Sequence, residues 1–289
     1  SASLLSAFPN AAAMSHGALV PICLKLARTS SAPVLARYHA LCLLEVLLTH
    51  HSVGTLSASG VKDLYKALRA ALLDKAGPMV RAACGCLRAL VAQHDALRAK
   101  SEIEGVALQC SKVMHTSDVA TRTSLAELVA ALLTQTELHG GSDGENAKGP
   151  VATPLYTPQE MLQTLQVYVA RATTWQGRTG ALQMYAALFA KLGASFIEGH
   201  YELLLMHLVN TLGQHTAAML TPAEALHLRS GLRIVLQTYL CAQLTEPAQE
   251  RAAVELGTHI LGVWPPRTPN SPPPGDAALA LSLDACTSL

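Results

Sequence analysis

The residues that could do chemistry in this chain are twelve histidines, seven cysteines and a few clustered carboxylates. His200 and His207 stand seven apart, so one helix face would carry both imidazoles, which is part of a metal site. No cysteine or carboxylate completes the set, and a structural histidine is the expected role for each. Cys84 and Cys86 lie about 200° apart around a helix and cannot jointly grip one ion. No Cys-x-x-Cys, His-Glu-x-x-His or Gly-x-Ser-x-Gly occurs. The Gly-rich stretch Gly140–Gly149 suggests a phosphate loop. A Walker loop needs Gly directly before its Lys and Ser or Thr after it, whereas Ala147 precedes Lys148 and Gly149 follows. Glu102 and Glu104 fit helix capping and the helix dipole better than acid–base work. Trp175 and Trp264 sit near expected helix ends, where packing between repeats is favoured over anchoring a partner. The expectation is therefore a chain with no catalytic, cofactor-binding or metal-binding residues, and no enzyme.

The elements that would position these groups are helices. Of 289 residues, 50% are hydrophobic and only 14% charged, enough for a sizeable core and too little charge for disorder. Lys and Arg number 21 against 20 Asp and Glu, a net charge of +1 that gives no basic excess for a nucleic acid. The odd cysteine count argues for reduced, buried thiols in a cytosolic protein rather than a disulfide framework. The chain opens on Ser rather than Met, which fits a fragment or a processed form. Residues 1–24 lack a basic n-region, and Leu203–Ala223 carries two histidines, Asn210 and Pro222, too polar to span a bilayer. No membrane insertion is expected.

Apolar periodicity predicts eleven helices: 12–27 (interrupted near Pro21), 33–50, 60–73, 78–94, 102–115, 118–138, 158–171, 174–192, 196–213, 222–243 and 247–262. Ser101, Thr157 and Thr221 each precede a Glu by three residues, the pattern of a capping box. Residues 1–264 read as one solenoid with a flexible loop at 139–156. A Pro-rich linker follows at 265–275, then a short tail at 276–289, read as a truncated helix.

Superposing every second helix exposes a repeat. Arg37, Arg81, Arg122, Arg178 and Arg229 each open an apolar stripe at offsets of three, six and ten residues. The first Arg-to-Arg spacings, 81 − 37 = 44 and 122 − 81 = 41, match a HEAT period of about 40–47. These arginines are expected to hydrogen-bond the turns between repeats, with Asp74 and Asp118 as partners, and not to bind anions. The fold class is expected to be all-α, an α-α superhelix (HEAT/armadillo-like solenoid) of about five antiparallel helix pairs.

The stretches Val61–Leu90 (VKDLYKALRAALLDKAGPMVRAACGCLRAL) and Val106–Leu133 (VALQCSKVMHTSDVATRTSLAELVAALL) resemble a HEAT-repeat scaffold. More narrowly they resemble the N-terminal region of the HEAT-repeat-containing protein five family, which includes the large accessory protein of the trans-Golgi and endosomal clathrin adaptor. The similarity continues through Met161–Leu212 and more weakly through Leu228–Ile260. It implies a non-catalytic cytosolic scaffold, peripheral at the trans-Golgi network and endosomes. Its partners would be clathrin adaptor subunits or their accessory proteins, with no cofactor, no nucleic acid and no membrane contact except through partners. The alternatives are a HEAT scaffold of a phosphatase or nuclear-transport complex and, from another class, an all-α enzyme.

Overall fold

The computed structural model describes residues 9–50, 57–93, 99–139, 151–215 and 221–263, together with 283, 286 and 287. The Pro-rich stretch 265–275, Trp264 and most of the tail fall outside these residues. The helices belong to two compact units, Ser1–Leu155 and Tyr156–Leu289.

The first unit holds three helix pairs: α1 (Pro9–Arg28) with α2 (Val34–His50), α3 (Ala58–Ala71) with α4 (Gly77–Gln93), and α5 (Lys100–Met114) with α6 (Val119–Leu133). The second helices pack in series, α2 on α4 and α4 on α6. The second unit holds α7 (Pro158–Arg171) with α8 (Trp175–Leu192), α9 (Ala194–His215) with α10 (Pro222–Val235), and α11 (Glu246–Val263). There α8 packs on α10, and α9 packs on α7 and α11. The fold class is all-α, with antiparallel helix pairs stacked as in an α-α solenoid within each unit.

The stacking follows from the apolar stripe. Three residues after each repeat arginine, Ala40, Cys84, Leu125, Ala181 and Leu232 are all buried. Six and ten residues on, eight of the ten side chains are buried, Leu43 and Tyr239 being half-buried. A lone pair would leave this stripe in water, at about 1.5–3 kcal/mol per large apolar side chain, so each pair needs its neighbour. Small residues permit the close approach. A Cβ on Gly85 of α4 would lie 2.2 Å from the Glu45 carboxylate of α2.

Several local expectations are corrected. Pro21 sits inside α1 rather than breaking it, at the loss of one backbone hydrogen bond. Ser101 does not cap α5. That helix starts two residues earlier, at Lys100 with Ala99 at its N-cap, and no side chain caps it. Ser57, Asp118 and Thr174 do cap, each accepting from the backbone N–H three residues on. The helix expected over 118–138 ends at Leu133. The expected flexible loop at 139–156 is framed instead by an antiparallel hairpin, β1 (Thr136–His139) with β2 (Val151–Pro154), in register Thr136↔Pro154 and His139↔Val151. β-Branched Thr134, Thr136, Val151 and Thr153 disfavour helix there, and the Leu155 N–H closes the hairpin on the Gln135 carbonyl at 2.9 Å. The helix expected over 222–243 widens after Val235 into a π turn, Leu236–Leu240, and then a 3₁₀ turn. That wider turn keeps Leu236, Leu240 and Cys241 together on the buried side. Among the described residues, no helix is long and apolar enough to cross a membrane.

Helices α8 and α9 are joined by one residue, Gly193, at φ 78° and ψ 167°, a region open only to glycine. Gly193→Ala should lower stability by about 1–3 kcal/mol. The control Gly199→Ala, in an open position within α9, should raise it by about 0.5–1 kcal/mol. Urea unfolding of both variants measures the contrast.

Candidate functional site

Four of the repeat arginines, Arg37, Arg81, Arg122 and Arg178, sit near the N-terminal ends of the second helices. Arg37 of α2 donates through Nε to the Ala27 carbonyl at the end of α1, at 3.1 Å. Its Nη2 donates to Asp74 Oδ2 in the α3–α4 turn at 2.6 Å. The Ala76 N–H fixes the other carboxylate oxygen at 2.9 Å. Arg37 thus joins its own pair to the next one.

Arg81 of α4 reaches the same place one repeat on. Its Nη1 donates to Thr121 Oγ1 at 3.1 Å and lies 3.7 Å from Asp118 Oδ2. Asp118 is the N-cap of α6 and accepts from the Thr121 N–H at 2.8 Å. That backbone bond is the main cause that holds its carboxyl below the usual carboxylate range, with the Thr121 hydroxyl and Arg81 assisting. Arg178 of α8 donates to the Ala172 carbonyl at 3.3 Å and to Glu224 Oε1. Glu224 also completes the capping box of α10, accepting from the Thr221 N–H at 2.8 Å. The Thr221 bonds, with Arg178, keep that carboxyl low as well.

The other two arginines are placed differently. Arg122 of α6, 6% exposed, donates to the Ser117 carbonyl of its own turn, and its Nε is buried without a partner. Arg229 is half-buried deeper in α10. The geometry brings Arg37 to Asp74, Arg81 to Asp118 and Arg178 to Glu224.

Two further sets of lateral contacts escaped the sequence reading. On the second helices, Arg88 pairs with Glu127 across α4 and α6. Glu45 of α2 lies over Gly85, and burial raises its carboxyl pKa against the pull of Arg88. On the first helices, Arg69 of α3 lies 3.1 Å from Glu102 of α5, which also accepts from the Tyr65 hydroxyl at 3.1 Å. Gln109 Nε2 donates back to the Arg69 carbonyl at 2.6 Å. Glu102 therefore serves a neighbouring helix, beyond the capping role its position suggests.

The nucleophilic and titratable groups are mostly embedded. Burial pushes the Cys84 and Cys241 thiols up to about 12 and raises Cys86 and Cys110 as well. At neutral pH they are thiols and poor nucleophiles. His200 Nδ1 lies 2.9 Å from the Phe196 carbonyl, and its ring stacks on Phe196 at 4.3 Å. His207 Nε2 lies 2.7 Å from the Tyr185 hydroxyl. Burial holds His207 down at about 4, so the neutral ring accepts and Tyr185 donates. The two histidines thus bond to different partners. Among the described residues, no group of three His, Cys, Asp or Glu could hold a metal ion. Trp175, 49% exposed, packs its ring on His227 of α10 at 3.2 Å.

No family model matches the chain. Two solved structures are loosely similar to the chain. A chain in the structure of Kap95p with RanGDP is 13% identical with a TM-score of 0.42, over 99% of this chain and 33% of that chain. The present chain spans about a third of that neighbour's length. An engineered protein is 13% identical with a TM-score of 0.37, over 93% of this chain and 95% of its own. Both likenesses are loose, and the helix-pair assignment rests on this chain's own packing.

Two predictions follow from the burial of these groups. Arg37 and Asp74 are 16% and 15% exposed, while Arg81 and Asp118 are 35% and 57% exposed. Arg37→Ala should therefore cost about 2–3 kcal/mol and Arg81→Ala under about 1 kcal/mol by urea unfolding. Unchanged melting together with lost partner binding would contradict a structural role. Acid should act through His207. With a folded pKa of about 4 against about 6.5 unfolded, the unfolded chain binds the extra proton between those values. Stability is full above about pH 6.5 and falls toward pH 4, by up to about 3 kcal/mol. His207→Gln should flatten that limb of a stability-versus-pH curve.

Proposed function

We propose that this chain is a non-catalytic protein-interaction scaffold in clathrin-adaptor-dependent vesicle traffic between Golgi and endosomes. The observation that carries the scaffold reading is the serial tying of second helices α2, α4 and α6 by Arg37, Arg81, Arg88 and their carboxylates. Such ties hold a run of helices in fixed register and present one layer of them to a partner. The embedded thiols and the protein-bonded His200 and His207 support a role without catalysis. The adaptor assignment rests on the resemblance of Val61–Leu90, Val106–Leu133 and Met161–Leu212 to the HEAT-repeat-containing protein five family. On this reading the partners are clathrin adaptor subunits or their accessory proteins. The chain works on the cytosolic side of Golgi and endosomal membranes and touches them only through those partners. The even balance of 21 basic and 20 acidic residues supports protein partners over nucleic acid.

Affinity capture of the tagged chain from cytosol, with adaptor subunits quantified by mass spectrometry, checks this. Enrichment of adaptor subunits or their accessory proteins is expected. Enrichment of a phosphatase or nuclear-transport complex in their place would retain the scaffold and discard the traffic assignment.

A further inference from the structure

We propose that the cleft between α1, α2 and α3 docks one bulky apolar side chain of an acidic peptide segment. The cleft measures about 220 Å³ and is walled by Leu24, Leu41 and Leu68. It exists because α3 turns Ala67, Ala70 and Ala71 toward it where larger side chains would fill the space. Pockets that enclose a drug-sized ligand or cofactor run from about 300 Å³ upward, so this one suits a single side chain.

The polar lining selects the sign of the partner. Arg28, Arg37 and Asp74 border the cleft, two cations against one anion. Arg37 and Asp74 are committed to each other at 2.6 Å. The guanidinium of Arg28, exposed in the last turn of α1, has no hydrogen bond or ion pair among the described residues. An apolar side chain seated against Leu24, over the floor that the buried Leu41 and Leu68 form, would place the adjoining peptide backbone at Arg28, where flanking carboxylates meet an unengaged guanidinium. This inference rests on the scaffold reading and gives it one anchor point in the first unit.

Fluorescence anisotropy tests it with a labelled acetyl-Glu-Glu-Phe-Glu-Glu-amide and the same peptide carrying Ala for Phe. The wild-type chain should bind the Phe peptide saturably and the Ala peptide at least tenfold more weakly. Ala67→Trp, which fills the cleft, and Arg28→Glu, which reverses its charge, should each weaken the Phe peptide at least tenfold. Arg28 is exposed, so Arg28→Glu should melt as wild type does. Equal affinity for both peptides, absence of saturable binding, or undiminished binding by Arg28→Glu would each overturn the proposal. Adaptor capture by both variants at wild-type level, alongside such a result, would remove the cleft and leave the scaffold reading standing.

Discussion

A guanidinium that holds a carbonyl of its own helix pair and a carboxylate of the next is the contact on which the stacking depends. Two amphipathic helices cannot bury their shared stripe alone. Apolar contact between pairs supplies most of the free energy, but that term is non-directional. Arg37 with Ala27 and Asp74, and Arg178 with Ala172 and Glu224, convert that loose adhesion into a fixed offset. The carboxylates are themselves anchored. Asp74 accepts from Ala76, Asp118 caps α6, and Glu224 caps α10, so each guanidinium meets a rigid target. The desolvation of each arginine is offset by bonds whose geometry is set before the pairs meet.

The series is uneven, and the unevenness has a chemical basis. The first two rungs span the same distance in sequence, 74 − 37 = 37 and 118 − 81 = 37 residues. Arg122 is the most buried of the first three yet bonds only a carbonyl of its own turn. Within the second unit, Arg178 meets its carboxylate at Glu224, the third residue of α10, rather than in the turn before the helix.

Much of this was legible in the sequence, for physical reasons. Helices with capping boxes at Thr157 and Thr221 announce themselves, because Pro at the first turn and Glu at the third satisfy orphan N–H groups locally. The arginines were visible as a repeated type at a repeated place, and Asp74 and Asp118 stood before the next arginine. The sequence shows Glu224 only as a cap, since nothing local reveals that a capping carboxylate has a second oxygen free for a neighbour. The Arg88–Glu127 and Arg69–Glu102 pairs depend on which helices lie side by side, and that is set by packing. The paired strands at 136–139 and 151–154 are hidden in the sequence, because an apolar helical pattern runs into Leu138 and masks the weak helix propensity of the threonines. The Tyr185–His207 bond joins residues 22 apart on successive helices, with no local signature.

A double-mutant cycle on Arg37→Met and Asp74→Asn tests the central claim most directly. The two residues belong to different helix pairs, so their coupling measures the tie itself and excludes the separate cost of each truncation. The account predicts a coupling energy of at least about 1 kcal/mol. Additivity within about 0.3–0.5 kcal/mol would show that the guanidinium and the carboxylate stand near each other without holding the pairs together.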